Sequence, residues 1–175
     1  MELPDLRQKN SYDCGMIACR IVLRVLRRRL TRDLAGRLNT NPIDGTDPRA
    51  IESTLRHMGL GVIAGEMTID DLRLQSQLGR PVICLVTRSG VGHYIVSAGV
   101  DCGRIKYQCP ADGPCTISRS KFILSWRDVD RLGATYHQFG MAVWRRPNTP
   151  PTPQVLDIAE VERVNNRLKE ILSLD

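Results

Sequence analysis

Aromatic side chains are scarce in this chain of 175 residues, with two Trp, four Tyr and two Phe. Single-stranded nucleic acid would therefore find no stacking platform. No run approaches the ~18 consecutive apolar residues that a membrane-crossing helix needs; the longest, "GLGVIAG" and "PVICLV", are short. The opening "MELPDLRQKN" has neither a basic n-region nor an apolar h-region, so it does not read as a secretory signal and the expected location is cytoplasmic. Histidine is limited to three residues and no C-x-x-C pair occurs, which leaves a structural zinc site without its usual spacing. Cys102, Cys109 and Cys115 are separated by six and then five residues, and the six cysteines are read as reduced thiols rather than a disulfide framework.

What is present suits one globular domain with a tail. Hydrophobic residues make up 42% of the chain, enough for a sizeable core. The net charge of +6 gathers in "RIVLRVLRRRLTRDLAGR", where apolar residues interleave with the arginines at helical spacing. That describes a solvated helix face, and nucleic acid is not an expected partner.

From Cys14, the residues Ile17, Ala18, Ile21, Val22, Val25, Leu26 and Leu30 form one helical stripe, with Asp13 as its expected N-cap. Helices are also expected over "TRDLAGRLNT", "TDPRAIESTLRHMGL" and "TIDDLRLQSQLG", with "GVIAGEM" as a short strand. The period then changes. "RPVICLVTRSG", "GHYIVSAGVDC", "GRIKYQCP" and "QFGMAVWRR" are β-branched runs punctuated by glycine, read as one mostly antiparallel sheet, interrupted by a helical turn in "SRSKFILSWRD". Helices first and sheet second imply an α+β domain over residues 1–146. A proline-rich linker spans 147–154, and 155–175 reads as an amphipathic helix that needs a partner surface.

Chemistry enters at "KNSYDCG". A thiolate is the nucleophilic form of cysteine, and the start of a helix favours it; Cys14 stands at such a start. A base must take its proton, and His93, opening the strand "HYIVSAGV", is placed for that better than His57 at a helix end or His137 before a strand. Gln8, six residues before the thiol, can turn its amide back as an oxyanion donor. Cys, then His, with an upstream Gln is the papain-like order.

From about Leu6 to Trp144 the chain resembles the bacteriocin-processing cysteine peptidases, the papain-like domains that cut double-glycine leader peptides. The resemblance rests on Gln8 with "YDCG", on "LRLQSQLGRPVICLV", on the His93–Tyr94 pair and on "YQCPADGPCTISRSKFILSW". It implies a papain-like fold without cofactor and cleavage after a pair of small residues through an acyl-enzyme on Cys14. It also implies a peptide or protein substrate, with the transporter segments of that family lacking here, so that a separate exporter or protein partner would meet the C-terminal helix.

One position departs from the pattern. Where the family has an Asp to orient the histidine, this chain has Cys109, so Asp112 or Gln108 is expected to orient His93 instead. Two other readings use the same residues: a weakly active or inactive domain that captures a leader or partner peptide, and a Cys–His acyltransferase.

Overall fold

The computed structural model describes residues 1–129 and 133–146. The expected linker and C-terminal helix lie outside the described residues. The elements run α1 (Cys14–Val25), α2 (Arg32–Arg37), α3 (Pro48–His57), β1 (Leu60–Glu66), α4 (Ile69–Gln77), β2 (Val82–Arg88), β3 (Val91–Asp101), β4 (Arg104–Cys109), β5 (Gly113–Ser118), α5 (Arg119–Ser125), β6 (Arg127–Val129), β7 (Thr135–His137) and β8 (Phe139–Arg145).

Six strands form one sheet in the order β1-β8-β2-β3-β4-β5, while β6 and β7 pair separately. Every pairing is antiparallel. Along β2 the side chains alternate between two cores: Ile83 and Leu85 join α1, α3 and β1 on one face, and Val82, Cys84 and Val86 join α4, Phe122 and Trp126 on the other. This explains the unbroken apolar run "PVICLV", because a strand covered on both sides has no polar face. Helices thus cover both faces of the sheet. Those that follow the first strand cover the second face.

Capping chemistry sets the helix starts. The Thr68 hydroxyl and Asp71 carboxylate form a reciprocal capping box on α4, and Asp47 accepts from the Arg49 amide ahead of Pro48 on α3. Asp13 does precede α1, but its carboxylate turns away from the helix and accepts from the amide and side chain of Asn10. Helix α1 also stops earlier than its stripe. Arg27 takes a left-handed conformation with φ 53°, the Arg28 amide closes back on the Leu23 carbonyl at 2.7 Å, and Leu30 packs on the core from beyond the helix.

Candidate active site

The site lies where the start of α1 meets the beginning of β3 and the end of β4. Gly15 permits the meeting. A Cβ there would stand 2.7 Å from Thr46 Cβ and 3.1 Å from the Tyr94 ring, so only glycine lets the first turn of α1 rest on β3 without displacement. Tyr94 is fixed in turn by donating its hydroxyl to the Thr46 carbonyl at 2.9 Å.

Cys14 is buried, with 6% of its surface exposed. The backbone amides of Tyr94, Gly15 and Cys14 itself turn toward its sulfur and favour the thiolate, but burial outweighs them and the thiol is raised above its ordinary range. The helix start therefore does not make Cys14 a resting thiolate, contrary to the expectation from sequence. Cys14 packs in one core with Tyr94, the residue after His93 on β3, and among the described residues the His93 ring bonds Cys109 rather than Cys14.

His93 is also buried. Its Nε2 lies 3.3 Å from Cys109 Sγ, and among the described residues that is the hydrogen bond its ring makes. Burial first, then the Arg88 charge, lowers the imidazole to about 4, with Asp112 opposing. The resting ring is neutral at pH 7.

Around Cys109 a small cluster closes. Arg88 Nη1 donates to its sulfur at 3.5 Å, the thiol donates to Asp112 Oδ2 at 3.6 Å, and Arg88 forks onto both Asp112 oxygens at 2.7 and 3.0 Å. These groups, with Val86, Ile95, Tyr107, Ile117 and Phe122, line a cavity of about 180 Å³. Asp112 thus stands behind Cys109 rather than on the ring. Gln108 does not reach His93: on the alternate face of β4, its amide nitrogen donates to Asp5 at 2.8 Å. Arg88 escaped the sequence reading; its signal was a cation closing the turn "TRSGVG" directly across from Val91 in the β2–β3 pair.

Gln8 is held beside this cluster. Its backbone amide donates to the Pro110 carbonyl at 2.9 Å, its side-chain nitrogen to the Asn10 carbonyl at 3.0 Å, and its side-chain oxygen is buried without a partner. One amide hydrogen remains uncommitted by the Asn10 bond. Asp5 and Arg7, on the same segment, bond Gln108 and the Ala111 carbonyl, so the Gln8 strap and the Cys109 turn are one unit. Among the described residues no group of three or more His, Cys, Asp or Glu side chains is gathered as a metal site, and the cysteines are free thiols.

A thiol at a helix start, a histidine opening an antiparallel strand and an upstream glutamine, on a sheet with helices packed against it, define a papain-like cysteine peptidase domain. Residues 3–130 match the peptidase C39 family, and the chain belongs to that family. No curated protein matches. Among solved structures it is similar to a double glycine motif protease from a PCAT transporter in complex with its leader peptide, at 15% identity and a TM-score of 0.62 over 83% of this chain and 93% of that one. It is likewise similar to the peptidase domain of Streptococcus ComA, at 17% identity and 0.62 over 83% and 98%, and to a C39-like peptidase from Bacillus anthracis, at 12% and 0.61 over 85% and 100%. At such identities the likeness is one of fold. Among the described residues no helix is long and apolar enough to cross a membrane.

Proposed function

We propose that this chain cleaves a peptide after a pair of small residues, of the Gly-Gly leader type, through an acyl-enzyme on Cys14. What supports the reading is the place of Cys14 as first residue of α1, packed in one core with Tyr94 of β3, the strand that also carries His93. His93 takes the Cys14 proton on Nδ1 as sulfur attacks the scissile carbonyl. The same proton then passes to the leaving amine as the C–N bond breaks, and water attacking the thioester regenerates the thiol. Gln8 supplies an amide hydrogen to the developing oxyanion. The substrate is a peptide or protein presented in the cytoplasm. A double glycine protease captured with its leader peptide is among the structures this fold is similar to, which supports the substrate class.

The test uses the full chain and a synthetic leader peptide ending in Gly-Gly followed by a short core. Mass spectrometry should find cleavage after the second glycine by the wild type and none by Cys14→Ala. Equal turnover by that variant removes the reading. A second reading, peptide capture with little turnover, is favoured by the neutral resting pair and by the ring bonding Cys109 rather than Cys14. Tight binding of the uncut peptide by wild type and Cys14→Ala alike would establish it.

A further inference from the structure

We infer that Cys109 is the positioning residue for His93, and that it works as a thiol bridge which accepts from the imidazole and donates to an Asp112 carboxylate clamped by Arg88. This rests on the peptidase reading and extends it to a residue that catalysis as described above does not use.

The arrangement follows once the single thiol hydrogen goes to the charged acceptor, Asp112, rather than to the ring nitrogen. Asp112 is held by the Arg88 fork and accepts from Cys109 at 3.6 Å. A thiol has a single hydrogen, so with it committed to Asp112 the Cys109 sulfur meets both Arg88 Nη1 at 3.5 Å and His93 Nε2 at 3.3 Å as an acceptor. Nε2 must then carry the ring proton. The Nδ1 lone pair is left free, and that is the atom a base needs when its other nitrogen is occupied. No proton travels along the bridge. Cys109 stays a thiol throughout, as its burial favours, and it contributes orientation and tautomer without a formal negative charge on the ring.

The other charged or titratable neighbours agree with this role. Arg88 opposes the imidazolium and Asp112 supports it. The strap carrying Asp5, Arg7 and Gln8 holds the turn on which Cys109 and Asp112 sit, through the Gln8 amide to Pro110 and Arg7 to Ala111.

The tautomer can be read without any cleavage assay, by two-bond ¹⁵N–¹H correlation of the His93 ring in the full chain, with His93→Gln assigning the signal among the three histidines. Wild type at pH 7.5 should show the Nε2–H form, Cys109→Ser should keep it, and Cys109→Ala should lose it to a mixture. Should Cys109→Ala fail to fold, Asp112→Asn serves instead, because its exposed side chain leaves the core untouched and should loosen the same tautomer preference. Finding Nδ1–H in the wild type, or an unchanged Nε2–H form in Cys109→Ala or Asp112→Asn, overturns the bridge. On the leader peptide, Cys109→Ala should lower kcat on the order of tenfold or more with KM held, and Cys109→Ser should restore most of it. If the wild type cuts no peptide while the tautomer results hold, the peptidase reading fails and the bridge stands.

Discussion

His93 makes the acid stability of the domain calculable. Its imidazole is buried and neutral, lowered from an ordinary 6.5 to about 4. Above pH 6.5 the ring is neutral whether the chain is folded or not, and it contributes nothing to pH dependence. As the pH falls through 6.5 the unfolded chain takes up a proton that the folded chain refuses, so unfolding becomes easier; the effect stops growing once the folded ring also protonates near 4. At pH 4.5 the difference between the two titrations is on the order of 2 to 3 kcal/mol, a large fraction of a typical domain's stability. The measurement is urea unfolding of the wild type and His93→Gln at pH 7.5 and 4.5, followed by circular dichroism. Glutamine can still donate to Cys109 Sγ and has no proton to gain. Carboxylates held low by their partners, such as Asp71 in its capping box, lose stability on acidification in both chains and cancel in the comparison. The wild type should therefore lose on the order of 2 to 3 kcal/mol more than the variant between the two pH values. Equal losses would mean that His93 is solvated or already charged in the fold, and the account of the site as a neutral pair would fall with it.

Two further outcomes test the packing that positions the site. Gly15→Ala should force the start of α1 away from Thr46 and Tyr94, whose atoms stand 2.7 to 3.1 Å from the added carbon; a loss of about 1–3 kcal/mol in urea unfolding is expected for such overpacking, together with slower alkylation of Cys14 in site-resolved mass spectrometry. Thr68→Ala should break one half of the α4 capping box and cost about 1 kcal/mol, without changing the His93 ring signals, since no α4 residue lines the cavity around His93 and Cys109.

Much of the architecture was legible from spacing. The stripe from Ile17 to Val22, the helices over Pro48–His57 and Ile69–Gln77, and the strands over Val82–Arg88 and Phe139–Arg145 follow from periodicity and capping, which act over a few residues. What escaped is decided at longer range or shorter length. Strands β6 and β7 have three residues each, too few to show a period. Strand β5 follows Cys109 after a turn so tight that "GPCTIS" reads as a continuation of the loop, yet it pairs with β4 along its whole length. Asp13 had the right residue type for a cap, but Asn10 competes for its carboxylate, and no local rule ranks the two.

The candidate site divides the same way. Gln8, Cys14 and His93 are candidates by residue type and order, whereas the charge state of Cys14 and His93 depends on burial, which spacing does not report. A helix start alone argues for a thiolate at Cys14; enclosure by the α1 and β3 cores reverses the sign. Arg88 alone argues against an imidazolium at His93, and an Asp at position 109 would have countered it at contact distance. The thiol places that countercharge one bond further away, on Asp112, where Arg88 already neutralises it. On the proposed reading both the thiol and the imidazole rest uncharged, so proton transfer would accompany attack on the substrate rather than precede it. Peptide capture and slow turnover then share one resting state, and the distance of a single carboxylate from a single ring nitrogen decides between them.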